Sequence, residues 1–407
     1  MSRNLYYFRN DFRLNDNSNL ARALESSDQI LFLCSLPSKS WGKWRMKFYL
    51  ESISALSTEL KERGHHLWAL EIEEIPSFIQ QLKPDSIFTP YIEAHNEKLE
   101  CENLNSKTKV EMAYNDRLLM SPPLKIPDVF TQFRKSIEID YCPAGKTSLP
   151  SIWPKAFTTE IPPSLPVSSL ELNKKSAFPF KGGEENGLKR LRQYLYESNS
   201  IQTYKETRNG LIGIDYSTKF SPYLALGCLS AAAIFREVEF YEKSVLSNES
   251  TYWVKFELWW REYFRWVYHK YGKSFFHQRG IKRRIIDSEF NEAIFNDWCQ
   301  GKTSNPFVDA NMIELNETGW MSNRGRQNVA SYLVKDLKQP WWLGASYFEQ
   351  NLIDYDVYSN WGNWQYIAGV GNDPRPNRYF NTDKQARMYD GDGAFRSLWL
   401  EKTNPND

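Results

Sequence analysis

The sequence predicts an α/β half followed by an all-α half: an N-terminal doubly wound parallel-sheet domain, a long linker and a C-terminal helical domain. Three observations predict it. Short apolar runs alternate with helix-period segments as far as Tyr114, the pattern of a parallel sheet covered on both faces. A Pro- and Ser-rich stretch, Ser121–Pro179, then breaks the periodicity. From Glu184 onward apolar residues recur at helical spacing. The boundaries are drawn at 1–127, 128–182 and 183–407, and 407 residues favour two domains or three.

Leu5–Phe8 is a short apolar-aromatic strand. Asn17–Leu24 is a helix, with Asp16 as its expected N-cap. Gln29–Leu36 is a buried type of strand. Arg45–Arg63 is the clearest helix of this half: Tyr49, Ile53, Leu56 and Leu60 share one face and Gly64 stops it. A strand at His65–Ile72, a helix at Ile75–Leu82, a strand at Asp85–Ile92, a helix at Asn96–Asn103 and a strand at Lys109–Tyr114 follow. Within the linker, PDVFTQFRK is a short helical island. Beyond it come helices at Asn186–Tyr196, after Pro222, at Trp253–Tyr268 and at Gly319–Leu337.

Composition narrows the function classes. Net charge is +1, so any nucleic-acid surface must be local. Five scattered Cys without CxxC suit a reducing cytosol and argue against a disulfide framework or structural zinc. Five His without ligand spacing give no metal site. The N-terminus lacks the apolar core of a signal peptide, and no apolar run is long enough to span a membrane, so a cytoplasmic chain is expected. No GxxxxGK[ST] occurs, and the first strand ends in Arg9-Asn10-Asp11 rather than a glycine fingerprint. Ligands of such sheets bind beyond the strands' carboxyl ends, where Glu93, Asn96 and Glu97 either line a small pocket or form a solvated helix start.

The stretch 354–381, DYDVYSNWGNWQYIAGVGNDPRPNRYFN, dominates the helical half. Asp354, Asp356, Asn360 and Asn363 are interleaved with Trp361, Trp364 and Tyr366. A core does not want unpartnered carboxylates, and a surface seldom carries so many rings. A concave site for a flat polar ligand uses both; the alternative is an irregular helix–turn packed inside the domain. Pro374, Arg375, Pro376 and Arg378 form a turn with two cations. Ser217, Thr218, Lys219 and Ser221 precede Pro222, and free N–H groups at a helix start beside hydroxyls and a Lys make a phosphate site, or else an ordinary cap. Glu257, Arg261, Phe264 and Tyr268 share one helix face, fitting a cofactor pocket or an ion pair flanked by core rings. Asn323, Arg326 and Gln327 open the 319–337 helix. Arg279–Arg284 is a basic cluster, either a solvated face or a phosphate-tracking edge.

Taken together, YFRNDFRLNDN (7–17), PDVFTQFRK (127–135), TRNGLIGIDYSTKFSPYLALGCLS (207–230), ELWWREYFRW (257–266), TGWMSNRGRQNVASYLVKDL (318–337) and the 354–381 stretch resemble the photolyase/cryptochrome family, most closely its cryptochrome-DASH branch. The resemblance runs from one end of the chain to the other. It implies an N-terminal antenna domain and a C-terminal helical domain holding a folded FAD. By the same resemblance, Tyr204, Ser217, Thr218, Lys219, Phe220 and Ser221 hold the flavin's phosphate and ribityl portion. Arg261, Asn323, Arg326, Asp354 and Asp356 surround its rings, and Asn360 faces flavin N5. Glu257 is the acid for a flipped pyrimidine pair, with Trp260 and Tyr366 as stacking walls, Gln327 as part of the DASH pattern, and Arg375 and Arg378 as phosphate contacts. Glu257, Asn323 and Asn360 form the implied catalytic set. The implied activity is blue-light repair of cyclobutane pyrimidine dimers, chiefly in single-stranded DNA, by a monomer. A blue-light sensor without repair activity is the alternative, and a colourless nucleotide-binding scaffold a third reading.

Two departures bear on that expectation. Trp364 and Trp341 match the inner members of the family's photoreduction path, but Ser288 stands at the outer position, with Trp298 as the candidate substitute. The chain is also short around Phe275–Ile286 and in the linker. A folate antenna such as methenyltetrahydrofolate is implied only by resemblance, with Glu93 or Glu97 as its candidate ligands.

Overall fold

The structure, a computed structural model, describes residues 1–401 apart from 116, 159, 376 and 377. Pro376 of the two-cation turn therefore lies outside the described residues. The first half runs β1 (Arg3–Phe8), α1 (Ser18–Glu25), β2 (Gln29–Ser35), α2 (Lys43–Lys61), β3 (Leu67–Leu70), α3 (Ile75–Leu82), β4 (Ser86–Pro90), α4 (His95–Asn105) and β5 (Lys109–Ala113). The strands pair in parallel in the order β3-β2-β1-β4-β5, with Leu5 of β1 opposite Leu31 of β2 and Ile87 of β4. Side chains alternate across the sheet. Tyr6, Phe8, Ile30 and Phe32 enter the core shared with the helical half, and Leu5, Tyr7, Leu31 and Leu33 enter a second one.

Asp16 does not cap α1. Asn17 does, its side chain accepting the Leu20 N–H at 2.9 Å. Asp16 adopts φ +53°, and its carboxylate instead accepts from Ser230 and Arg236 of the helical half, both at 2.7 Å. The connecting segment is more than a surface strap. It carries α5 (Phe130–Ile137) and a two-residue strand β6 (Lys155–Ala156) that pairs with β2.

The second half comprises α6 (Glu184–Arg192), α7 (Tyr204–Thr207), α8 (Ser221–Ala225), α9 (Ala231–Ser244), α10 (Glu249–Tyr271), α11 (Glu292–Gln300), α12 (Pro306–Thr318), α13 (Asn323–Ser331), α14 (Trp341–Asn351), α15 (Val357–Ala368), α16 (Thr382–Tyr389) and α17 (Ala394–Leu400). Helix α10 begins four residues earlier than its apolar pattern because Asn248 and Thr251 form a capping box. The expected helix at Gly319–Leu337 is divided. Gly319, at φ +69°, ends α12; Ser322 caps α13 by accepting from the Gly325 N–H; a π-turn carries the chain over Tyr332–Asp336. No helix among the described residues is long and apolar enough to cross a membrane.

Candidate cofactor cavity and its mouth

A two-lobed cavity opens between α8, α10, α13 and α15. The larger lobe encloses about 1110 Å³ and the smaller about 570 Å³, open solvent space included. Asn323, Arg326, Asp354, Asp356 and Ser359 line both, so the lobes are continuous. This size suits a ligand well above a single nucleotide base.

The start of α15 builds the floor. Asp356 caps the helix, accepting the Ser359 N–H at 2.8 Å, while its other oxygen accepts from Arg265 at 2.7 Å. Burial pushes its carboxyl up, but Arg265, Arg261 and the cap bond outweigh that and hold it below the usual value. Asp354 is buried; one oxygen accepts from Ser221 at 2.7 Å and Arg326 at 2.9 Å, and the other has no protein donor. Asn360 gives its amide N–H to the Ala345 carbonyl at 3.0 Å, so its orientation is fixed on the wall of the smaller lobe. Asn323, the first residue of α13, is exposed on the rim of both lobes.

The loop before α8 borders the larger lobe, and one buried cation shapes it. Arg190 of α6 donates to the carbonyls of Ile214, Ser217 and Thr218 at 3.0–3.1 Å and pairs with Asp215 at 2.6 Å. With those carbonyls committed to Arg190, Ser217, Thr218, Phe220 and Ser221 border the cavity beside Tyr204. Lys219 has φ +60°, and its buried amine lies 3.2 Å from the centroid of Tyr216 and 4.6 Å from that of Trp320, without a hydrogen-bond partner. It is thus an amine buried under rings, not the solvated Lys of an ordinary cap.

At the mouth, Glu257 is ion-paired with Arg208. Its carboxyl lies deep enough in the cleft for burial to raise its pKa against the pull of Arg208, although 36% of the side chain still meets solvent. Arg261 of the next turn borders the same lobe and donates to the Leu224 carbonyl at 3.1 Å. Trp260 stacks on Phe130 of the connecting segment, 3.8 Å apart and 13° from parallel, and meets Tyr366 edge-on at 6.1 Å. Gln327 borders the smaller lobe and accepts from Arg324 at 2.9 Å. Arg375 is exposed. The Arg378 guanidinium pairs with buried Asp373 and donates to the Tyr366 hydroxyl at 2.8 Å, so it orients that ring.

Trp364 lines the smaller lobe, and Gly344 of α14 permits its close approach, since a Cβ there would strike the indole. Trp298 touches Trp364 with ring centroids 6.1 Å apart, but it is wholly buried and donates to the Val329 carbonyl. Trp298 is therefore a buried neighbour of Trp364 rather than a ring at the surface. Trp341 instead contacts half-buried Trp361 at 5.8 Å and Trp342 at 6.2 Å. Of the antenna candidates, Glu93 borders a separate groove. It is buried; its Oε1 accepts from Tyr114 at 2.9 Å and contacts His269 at 2.7 Å, while its Oε2 lies 3.2 Å from Arg117 without a hydrogen bond. Glu97 gives Arg9 only its backbone carbonyl. Arg190, Arg208 and Arg265 escaped the sequence reading because each belongs to an ordinary amphipathic helix or loop; only the fold brings them to the cavity.

Two family models cover most of the chain: one described as DNA photolyase over residues 4–151, the other as the FAD binding domain of DNA photolyase over residues 253–405. The chain is 41% identical to Cryptochrome DASH of Xenopus laevis, covering 96% of this chain and 81% of that one, and 41% identical to Cryptochrome DASH of Synechocystis, covering 99% and 88%. It superposes on the solved Synechocystis cryptochrome with a TM-score of 0.92 at 38% identity, covering 98% of this chain and 89% of that one. An archaeal photolyase from Sulfolobus tokodaii, solved with two FAD molecules, matches at a TM-score of 0.78 and 26% identity, over 99% and 91% of the two chains. The chain belongs to the photolyase/cryptochrome family, in its cryptochrome-DASH branch, and is an FAD-binding flavoprotein.

Proposed function

We propose that this protein splits cyclobutane pyrimidine dimers, preferentially in single-stranded DNA, under blue light. The observation that carries the reading is an acid with a raised pKa, Glu257, on the wall of the cofactor cavity, one helical turn from Trp260, whose ring meets Tyr366 edge-on. The donor set suits FAD. Arg326 and Arg261 supply positive charge, Asp354 keeps one buried oxygen without a protein donor, and the Arg190-clamped loop turns hydroxyls and backbone toward the larger lobe. When bound, FAD supplies the electron that blue light makes available.

The chain's own groups do the rest. Ser217, Thr218, Lys219, Phe220, Ser221 and Tyr204 hold the phosphate and ribityl side. Arg261, Arg326, Asp354 and Asp356 frame the rings, and Asn360, oriented by Ala345, offers an amide to them. Glu257, whose pKa burial raises, donates in its protonated form to a base carbonyl of the dimer while Trp260 and Tyr366 flank it. Asn323 and Gln327 form the rim between cofactor and substrate. Single strands are favoured because an unpaired lesion avoids the few kcal/mol that extrusion from a duplex costs, on the order of one or two base steps.

The test is irradiation of a dimer-containing single-stranded oligonucleotide with FAD-loaded, reduced protein. Wild type should restore the bases; Glu257→Ala should lose roughly ten- to a hundredfold in rate, as expected for removing a hydrogen bond from an ionisable group, about 1.5–3 kcal/mol. Undiminished dimer with the wild type would sink the repair reading in favour of a sensor.

A further inference from the structure

The 279–284 loop is a built feature. Gly280 sits at φ +57°, and a Cβ there would strike Val370, so the position takes only glycine without strain. The Ile281 N–H donates to Gln365 at 2.9 Å, the Lys282 N–H to the Val370 carbonyl at 3.0 Å, and Gln365 in turn donates to the Phe275 carbonyl at 2.7 Å. The Lys282 ammonium reaches the Asp373 carbonyl at 2.7 Å. Asp373 is the residue whose carboxylate holds Arg378, and Arg378 holds the Tyr366 hydroxyl. Two residues therefore separate the loop from the aromatic wall of the mouth.

This anchoring presents cations outward. Arg279, Lys282, Arg283 and Arg284 are exposed, as is Lys338, and half-buried Lys335 at the end of the α13 segment is within electrostatic reach of both Arg284 and Lys338. The Lys335 ammonium is held below its usual value by burial, with Arg284 and Lys338 adding repulsion. Acids are present but fewer: Asp287, Glu289 and Asp336, the last accepting the Tyr379 hydroxyl at 2.9 Å. Among the described residues Arg279, Lys282, Arg283, Lys335 and Lys338 pair with no carboxylate. In a chain of net charge +1, this local excess of exposed cations makes a positive field that attracts an anionic partner.

We propose that this ledge is a phosphate track for the single strand on one flank of the lesion, reaching the mouth through Lys282, Asp373 and Arg378. The proposal rests on the repair reading for its partner, but not for its measurement. Counterion release makes the logarithm of single-strand affinity fall with the logarithm of salt by about 0.7 per phosphate contacted.

Anisotropy titrations with FAD-loaded protein across a KCl series test it, using two dimer-containing oligonucleotides, one extending only 5′ of the dimer and one only 3′. The triple variant Arg279→Gln/Arg283→Gln/Lys338→Gln should lose up to about 2 of salt slope, and only with one of the two oligonucleotides. The charge-conserving variant Arg279→Lys/Arg283→Lys, with Lys338 kept, should retain the wild-type slope. Equal slopes for wild type and triple variant, or the same loss on both flanks, would overturn the track. A one-sided slope change in a protein that leaves dimers intact under light would keep the track and remove the repair reading.

Discussion

Glu314 of α12 has 1% exposure, and neither carboxyl oxygen has a hydrogen-bond partner. Burial pushes it up to about 8, partly offset by Lys219 and Arg326. Lys219 is displaced downward by burial, with Glu314 opposing. The two face each other behind the cavity wall, each lowering the cost of the other's burial. The sign follows from proton binding. Between the unfolded value near 4.5 and about 8, the native protein holds a proton on Glu314 that the unfolded chain releases. Its stabilisation is full below that window and is lost as pH rises through it, at up to about 1.4 kcal/mol per pH unit. Lys219 acts in the opposite sense, so the informative quantity is a difference. Urea denaturation of Glu314→Gln from pH 5 to 8 should show stability falling less with pH than wild type does. Parallel curves would mean that the acid is ionised throughout.

Among the elements, the loop before α8 depends on a side chain from another helix. Arg190→Met strands the Ile214, Ser217 and Thr218 carbonyls and leaves Asp215 without its partner. The expected loss is about 3–5 kcal/mol, as for breaking a buried pair, together with faster FAD release. Arg190→Lys should recover little, because an ammonium cannot reach four acceptors in a planar fork. Thermal melts with and without added FAD measure both effects. The same comparison explains what the sequence could reveal. Strands β1 and β2 and helices α2 and α10 were legible because their apolar runs or stripes are unbroken, and α10 also carries a capping box. Asp16 was misread as a cap since Asp and Asn are equally good acceptors there, and only the distant Arg236 and Ser230 decide between them. The residues facing the cavity from 354–360 were legible because carboxylates, amides and rings so rarely share one stretch. Arg190 and Arg208 were not, because their partners lie 24–28 and 49 residues away.

At the scale of the whole molecule, the two halves are joined by buried acids that accept backbone N–H groups across the boundary. Glu184 of α6 accepts from Leu14 at 2.8 Å and Asn15 at 3.1 Å. Glu262 of α10 accepts from Leu118 at 2.9 Å and Leu119 at 3.0 Å, and also from the Trp266 indole at 2.7 Å. Arg13 answers from the other side, donating to the Gly227 carbonyl at 2.9 Å. One buried apolar cluster runs through the same boundary, from Phe8 and Phe12 to Tyr223, Trp259 and Tyr263. Packing and hydrogen bonds across the joint therefore predict a single cooperative transition. Glu262→Ala removes the acceptor for three buried donors at once. At about 1–3 kcal/mol for each donor left unsatisfied, it should destabilise the chain severely and separate the unfolding of the two halves. Tryptophan fluorescence weights the helical half, because Trp residues concentrate beyond residue 250, whereas far-ultraviolet circular dichroism reports both. Wild type should give coincident urea curves by the two probes and Glu262→Ala displaced ones. Coincident curves in the variant would mean that the apolar cluster alone couples the halves and that the acid only fills a hole in it.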